Sequence, residues 1–532
     1  MRIQPTEIIY NGHIVIHPDQ PIAVQALALA DDRILAAGSN EDVLNLASNG
    51  CKKTYLGGRT VWPGLTDAHI HLTKYALSLT QLDCEVDSRS QCLERVAEAA
   101  VKASPGQWIL GHGWNHNHWD RYGTAAELDR VAPDNPVYLT AKSLHAGWAN
   151  SRALAMAGIG KGTPDPDRGF IVRDDDGTPT GIVLERAMLL ISQALPEGTV
   201  DDIAEAIKTA QPALWELGVV GVHDFDSLSC FKALQQLRRQ GELELRVVKN
   251  IRDDDLDTAI AAGLSTGLGD EWLRIGNAKQ FADGALGPQT AAMLSPYEGS
   301  TETGMLLMDV EALSDIGQRA VKAGLALTYH SIGDLANRVV LDSFDNLRAL
   351  EKSLAIAPLP HRIEHLQLLH PDDLDRPAKL GVTCSMQPRH APSDQEMADR
   401  YWGQRVRYAY AWKSLLSRGA NLAFGSDAPV ESPNPFWGLH AALTRKPLQA
   451  GTPAPSWVPE ERLSWPEALT AYTIGPASAA GLSDRLGRLA PNYQADLIVF
   501  EDDPMQMKAD ALINLRPVGT MIGGEWKVRQ FE

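Results

Sequence analysis

Cysteine, positive charge and long apolar runs are all scarce in this sequence. The 532 residues contain five cysteines and no CxxC pair, so neither a disulfide framework nor a cysteine-ligated zinc is expected. The formal net charge is -18, which disfavours nucleic acid and anionic membranes as partners. The sequence lacks a signal-peptide pattern and any run near the roughly 18 apolar residues of a membrane span, so we expect a cytoplasmic protein.

The two ends of the chain have a β pattern. Short apolar runs at 7–16, 24–38 and 53–64 are separated by Asn-Gly, Asp-Asp and Gly-Gly turns, and similar runs occupy 487–503 and 518–530. This pattern predicts one small β-sandwich, composed of residues 1–58 and 487–532.

The middle of the chain alternates short apolar runs with helical stretches. Eight runs are candidate strands: 60–69, 218–225, 244–251, 274–284, 325–331, 361–369, 382–388 and 421–429. Eight strand–helix units predict a (β/α)8 TIM-type barrel over residues 59–486, in the α/β class, with its functional residues at the C-terminal ends of the strands.

The interval between the first two barrel strands is too long for a crossover connection. Residues 73–215 contain further candidate strands at 108–114, 137–143, 169–175 and 178–184. A structureless loop of that length is improbable, so the sequence predicts a large domain inserted after the first barrel strand.

Histidines and one aspartate follow several predicted barrel strands. His69 and His71 share one strand face because side chains alternate with period two, although a His-x-His pair also occurs on surface turns. Single residues such as His330, His365 and Asp427 usually have structural roles, as core or surface histidines or as a turn aspartate. Their order along the strands nevertheless predicts a metal site, with zinc expected and iron, manganese or cobalt as alternatives.

Further motifs extend over almost the whole chain. They are PGLTDAHIH (63–71), GHGWNHNHW (111–119), LDRVAPDNPVYL (128–139), HAGWANSRAL (145–154), PTGIVLE (179–185), AKQFADGALG (278–287), HSIGD (330–334), RIEHLQ (362–367) and GSDAPV (425–430). With these motifs the chain resembles the amidohydrolase superfamily, and within it amidohydrolase family 3, the group that contains N-substituted formamide deformylases.

The resemblance implies a centre of two divalent metal ions with six ligands: His69, His71, Lys279, His330, His365 and Asp427. Lys279, carbamylated by CO2, is implied to bridge the two ions. The first ion also takes His69, His71 and Asp427, and the second also takes His330 and His365. Asp427 is implied to be the general base that takes a proton from a metal-activated water and passes it to the leaving amine.

Two of these roles have alternatives. Lys279 could instead form an ordinary ion pair with Asp283, and Glu185 could be the bridging or substrate-contacting carboxylate. Asp67, Asp283 and Glu364 are candidates for orienting the ligand histidines. In the inserted segment, candidates for substrate contact or for core packing are Trp114, His112, His118 and His145.

The leading functional hypothesis is hydrolysis of a non-peptide C–N bond in a small amide, N-substituted formamide or cyclic amide. One alternative is a mononuclear deaminase, which would lack a bridging lysine. The other is a non-catalytic scaffold, which would have lost the metal ligands. Homodimers are common among such enzymes, but no interface can be identified from this chain.

Overall fold

The structure, a computed structural model, describes residues 4–19, 22–116, 119, 121–167, 169–195, 198–448 and 454–532. The strands, numbered along the chain, are β1 (Glu7–Tyr10), β2 (His13–Val15), β3 (Ala23–Val24), β4 (Ala26–Ala30), β5 (Arg33–Gly38), β6 (Lys52–Tyr55), β7 (Thr60–Pro63), β8 (Leu65–Ile70), β9 (Leu82–Asp83), β10 (Ile109–Trp114), β11 (Val137–Ala141), β12 (Ala146–Ala149), β13 (Gly169–Arg173), β14 (Pro179–Glu185), β15 (Val219–Asp224), β16 (Arg246–Ile251), β17 (Leu273–Phe281), β18 (Leu327–Ser331), β19 (Arg362–His365), β20 (Thr383–Met386), β21 (Asn421–Phe424), β22 (Leu497–Phe500), β23 (Gly519–Ile522) and β24 (Glu525–Arg529).

The α-helices, numbered in the same way, are α1 (Asn40–Leu44), α2 (Leu72–Ser78), α3 (Arg89–Lys102), α4 (Ala125–Val131), α5 (Ser151–Met156), α6 (Met188–Ser192), α7 (Val200–Glu216), α8 (Leu228–Gln240), α9 (Leu256–Ala261), α10 (Val310–Lys322), α11 (Asp334–Ser353), α12 (Arg376–Leu380), α13 (His390–Trp402), α14 (Trp412–Ser417), α15 (Pro435–Thr444), α16 (Trp465–Tyr472) and α17 (Ile474–Ala479).

The chain divides into two compact units. The first contains Met1–Leu72, Ala210–Ala428 and Ser432–Glu532, and the second contains Thr73–Thr209 and Pro429–Glu431.

Eight parallel strands form a barrel in the first unit. Their order is β8, β15, β16, β17, β18, β19, β20 and β21. After β21 the chain returns to β8, where Ile70 forms a parallel bridge with Ala428 and the backbone N–H of Asp427 donates to the carbonyl of His69 at 2.7 Å. These contacts nearly close the barrel, and the predicted (β/α)8 fold is confirmed.

Most residues of the barrel strands are buried, as expected for a parallel sheet covered on both faces. Every residue of β15, β16, β18 and β19 is buried. The helices then pack outside the strands: the rings of Tyr329 on β18 and Phe344 on α11 lie 4.9 Å apart. Local sequence fixes where helices begin, since the carboxylate of Asp309 accepts the N–H of Ala312 at the start of α10.

The prediction of one continuous strand over 60–69 is wrong. The chain breaks at Gly64, so that β7 joins another sheet and β8 alone enters the barrel. Pro63 has no N–H to continue a ladder. A Cβ on Gly64 would lie 2.4 Å from Cγ1 of Val220, so only glycine allows the chain to pass this close to β15.

Strands from both chain ends share a six-stranded sheet in the order β24, β23, β22, β7, β2 and β3. The junction is antiparallel pairing of β7 with β22, in which Thr60 is opposite Phe500. A four-stranded sheet in the order β5, β4, β1 and β6 lies beside it. The two sheets bury a common core that includes Leu27, Val61, Leu497 and Met521. The predicted association of the two chain ends is therefore confirmed.

The second unit contains its own six-stranded sheet, in the order β13, β14, β12, β11, β10 and β9. Each of the four strand positions predicted in the insertion is occupied, by β10, β11, β13 and β14. Trp114 and Trp148 are fully buried beside this sheet.

No α-helix among the described residues is long and apolar enough to cross a membrane.

Candidate metal centre

The predicted metal ligands follow the C-terminal ends of five barrel strands. His69 lies on β8 and His71 just beyond it, Lys279 lies on β17, His330 on β18, His365 at the end of β19, and Asp427 three residues after β21. This is the end of a (β/α)8 barrel where functional side chains collect.

Asp427 lies between the two histidines of the first strand. Its Oδ1 atom is 3.4 Å from Nε2 of His69 and 3.4 Å from Nε2 of His71. The three ligand atoms all lie within 4.8 Å of one another. Two imidazole nitrogens and one carboxylate oxygen at this spacing form a donor set suited to zinc or a similar divalent ion.

A second group of possible ligands shares Asp427. It consists of His365, His390 and Asp427, whose ligand atoms are again within 4.8 Å of one another. Nδ1 of His365 lies 2.9 Å from Oε1 of Gln387, so its Nε2 is the ring nitrogen left for a ligand. The sequence analysis did not identify His390. The signal that could have identified His390 is its position four residues after the end of β20, at the end of the barrel that carries the other candidate ligands.

Two of these residues have left-handed backbone conformations, with φ of +74° at His365 and +62° at Asp427. Such conformations cost of order 1–3 kcal/mol for residues other than glycine and concentrate at functional sites. The surrounding structure holds them in place: the N–H of Asp427 donates to His69, and the ring of His365 is fixed by Gln387.

Carboxylates fix the orientation of His69 and His71. Oε2 of Glu364 is 2.7 Å from Nδ1 of His69, and Oδ1 of Asp226 is 3.2 Å from Nδ1 of His71. Each contact directs the opposite ring nitrogen, Nε2, toward Asp427. Carboxylates of this kind typically orient metal-binding histidines. Glu364 was a candidate for this role, whereas Asp226 was missed, because 155 residues separate it from His71.

Glu364 is itself held on several sides. Its Oε1 accepts a hydrogen bond from Thr328 at 2.6 Å and is 2.9 Å from Nε of Arg362. Burial opposes ionisation of Glu364, but the charges of Arg362 and His69 outweigh it and hold the pKa well below its usual value. The carboxylate is therefore ionised and accepts the Nδ1 proton of His69.

The other two candidate orienting residues bind mainly backbone groups. Asp67 accepts hydrogen bonds from the N–H of His69 and from both the N–H and the hydroxyl of Ser426. Asp283 accepts the N–H groups of Ala292, Ile332 and Gly333. Burial raises the pKa of each carboxyl to about 7. Both residues thus position loops at the C-terminal end of the barrel.

Lys279 is buried between two aromatic rings, with its Nζ atom 5.0 Å from the ring centroids of Phe225 and Phe281. Burial lowers its pKa to about 8, although the charges of Glu364 and Asp427 oppose the shift. A lysine with a lowered pKa has a larger neutral fraction, which is the form that can react with CO2. Asp283 was the alternative ion-pair partner of Lys279. Its carboxylate instead accepts hydrogen bonds from the backbone N–H groups of Ile332 and Gly333.

His330 lies next to His365, with ring centroids 4.6 Å apart. Its Nε2 is 2.9 Å from the carbonyl oxygen of Gly284 and 3.9 Å from Oδ1 of Asp283. Donation from Nε2 to that carbonyl would leave Nδ1 as the ring nitrogen for a ligand. His330 does not belong to either of the two groups of possible ligands that contain Asp427.

The remaining candidates lie in the second unit. Nε1 of Trp114 donates to the carbonyl of Leu139, and its ring is buried in that unit's core. Nδ1 of His145 is 2.9 Å from Oε2 of Glu185, whose φ is +51°. His112 lies near Thr140 and the carbonyl of Pro429. His118 lies outside the described residues.

Known proteins resemble this chain along almost its whole length. Residues 56–526 match the amidohydrolase family. The putative amidohydrolase YtcJ of Bacillus subtilis (strain 168) is 32% identical, over 97% of this chain and 98% of its own. The N-substituted formamide deformylase of Arthrobacter pascens is 28% identical, over 97% of each chain.

A solved structure is similar along almost the same length. An uncharacterized metal-dependent hydrolase from Pyrococcus furiosus has a TM-score of 0.78 and 31% identity, over 94% of this chain and 100% of its own. The overall fold of this chain is therefore shared with a metal-dependent hydrolase. The chain belongs to the amidohydrolase family.

Proposed function

We propose that this protein hydrolyses the C–N bond of a small amide, N-substituted formamide or cyclic amide. The observation that carries the proposal is the position of Asp427, which is common to two groups of possible metal ligands. The similarity to an N-substituted formamide deformylase over nearly the whole chain supports the choice of bond.

We assign His69, His71 and Asp427 to one divalent ion and His365 and His330 to a second, with carbamylated Lys279 as a ligand of both. Zinc is the proposed metal, with iron, manganese and cobalt as alternatives. Divalent ions in such a centre lower the pKa of water and polarise a carbonyl group. The residues present fit this use, because their donor atoms are nitrogen and oxygen and the imidazoles of His69 and His71 are oriented by carboxylates.

Asp427 is the proposed proton carrier. Burial raises its pKa, but the charges of His69, His71 and His365 outweigh this and hold the pKa well below its usual value. Asp427 is thus ionised at neutral pH and can accept a proton from water. Protonation of the departing nitrogen by the same carboxyl then completes cleavage of the bond.

The carbamate on Lys279 supplies negative charge. A neutral lysine amine forms an N–C bond with CO2 and releases a proton, which yields an anionic group with two oxygen ligands. Burial of Lys279 supports this assignment because it favours the neutral amine.

The test is an activity screen on metal-loaded protein with N-substituted formamides, N-acyl amines, cyclic amides and aminopurines. Release of formate or another carboxylate from an amide, abolished by Asp427→Asn, supports the proposal. Release of ammonia from aminopurines without amide cleavage would contradict it and favour a deaminase. Absence of any turnover by a fully metal-loaded chain on all these classes would favour a non-catalytic scaffold.

A further inference from the structure

His390 has a buried ring nitrogen that lacks a hydrogen-bond partner. The residue begins α13, and only 7% of its surface is exposed. Among the residues that the structure describes, none forms a hydrogen bond with its Nε2 atom. A buried polar atom without a partner costs about 1–3 kcal/mol. The position of His390 therefore calls for a group that its ring can bind.

The same short segment orients His365 and contributes His390. Oε1 of Gln387 accepts from Nδ1 of His365, and the carbonyl of Gln387 accepts the N–H of His390. The two imidazole rings are nearly parallel, at 9°, with centroids 6.3 Å apart. Gln387 thus fixes the His365 ring through its side chain and the start of α13 through its backbone.

The spacing of the donor atoms fits a common ion. Zinc bonds to histidine nitrogen and carboxylate oxygen are each about 2.0–2.2 Å, so two ligands of one ion lie at most about 4.4 Å apart. The donor atoms of His365, His390 and Asp427 lie within 4.8 Å of one another, the same limit that the group on β8 meets. A small inward movement of the side chains would bring all three to bonding distance.

We propose that His390 is a ligand of the second metal ion, together with His365 and Asp427. This inference rests on the proposed metal centre. It adds two ligands to the second ion: His390, from the helix that follows the seventh barrel strand, and the carboxylate of Asp427. An ion bound by Nε2 of His390 would also supply the contact that this nitrogen lacks among the described residues. His330 would still bind the second ion through Nδ1, because its Nε2 lies 2.9 Å from the carbonyl oxygen of Gly284.

Metal binding by the full-length chain tests the proposal. Chelator-treated protein is titrated with Co²⁺, and affinity and the visible absorption spectrum are recorded for wild type, His390→Gln and His390→Ala. His440→Gln is the matched control: His440 is also buried, its Nε2 lies 3.3 Å from Asp510, and it belongs to neither group.

We expect wild type and His440→Gln to bind Co²⁺ alike. Both His390 variants should bind the more weakly held of the two Co²⁺ ions at least about 100-fold less tightly than wild type, with a changed absorption spectrum. Loss of a residue that only supports a metal ligand already weakens metal binding about 10–100-fold, so loss of the ligand itself should cost at least as much. Equal affinity and an equal spectrum in a folded His390→Gln variant would overturn the proposal.

Crystals of the zinc-loaded wild-type chain give an answer even where the variants fail to fold. Anomalous density about 2.0–2.1 Å from a ring nitrogen of His390 supports the inference. An ion bound by His365 but beyond bonding distance of His390 overturns this inference alone. A wild-type chain that takes up no metal overturns the proposed function as well.

Discussion

Nδ1 of His69 lies 2.7 Å from Oε2 of Glu364, although 295 residues separate the two in sequence. Both side chains are buried, and the far oxygen of Glu364 is held by Thr328 and Arg362. The contact fixes which nitrogen of His69 faces Asp427. Metal affinity should therefore depend on Glu364 even though we do not assign it as a ligand.

Replacing Glu364 with glutamine should lower metal affinity by roughly 10–100-fold, because the amide is a weaker acceptor for the Nδ1 proton of His69. The measurement is a metal titration of chelator-treated protein. Glu351→Gln is the matched control, since Glu351 is a buried glutamate 3.1 Å from His361 and outside the centre. Equal affinities in the two variants would contradict an orienting role for Glu364.

Glu351 should make stability depend on pH. Burial raises its pKa, but hydrogen bonds from His361 and Arg348 outweigh this and lower the pKa from 4.5 to about 2. Because the folded state binds the proton more weakly, the stabilisation is complete above about pH 4.5 and is lost as pH falls toward about 2. Glu351→Gln should thus reduce the free energy of unfolding by up to about 3 kcal/mol at pH 7.

Urea unfolding of wild type and Glu351→Gln at several values between pH 7 and pH 3 measures this difference. The two curves should converge as the pH falls below about 4.5. A difference that stays constant over the whole range would contradict the assigned shift.

Gly425 leaves no room for a side chain beside the centre. A Cβ there would lie 2.4 Å from the backbone nitrogen of His69 and 2.8 Å from Oδ1 of Asp67. Gly425→Ala should cost about 1–3 kcal/mol of stability and lower metal content, because β8 must shift. Gly160→Ala, at a glycine with open space around it, is the control for thermal unfolding and metal analysis. Unchanged metal content in Gly425→Ala would contradict this prediction, because it would mean that a shift of β8 does not disturb the metal centre.

Lys279→Met should abolish CO2 binding and weaken retention of both ions, since the proposed carbamate contacts each. Native mass spectra of wild type should show the mass of one CO2, lost on acidification, and the variant should show none. Lys527→Met is the control, because Lys527 is a largely buried lysine that pairs with Glu244 away from the centre. Wild-type protein with two ions and no added CO2 would contradict the carbamate.

The barrel was predictable because each of its strands is a short apolar run in the local sequence. The break at Gly64 was not, since it depends on how closely the chain passes Val220. His69 and His71 could be predicted from their His-x-His spacing together with the order of the later histidines and Asp427 along the barrel strands. Asp226 and His390 could not, because their roles follow from contacts with His71 and His365, which lie on or just beyond other strands of the barrel.

The central claim is that Asp427 joins two groups of metal ligands. Metal analysis of wild type and Asp427→Ala, both purified without chelator and supplemented with zinc, tests it most directly. We predict about two ions per wild-type chain, as in other two-metal hydrolytic sites, and fewer than about one in the variant, because both groups lose their only carboxylate. A wild-type chain that retains no metal, or a folded Asp427→Ala variant that retains both ions, would contradict the account.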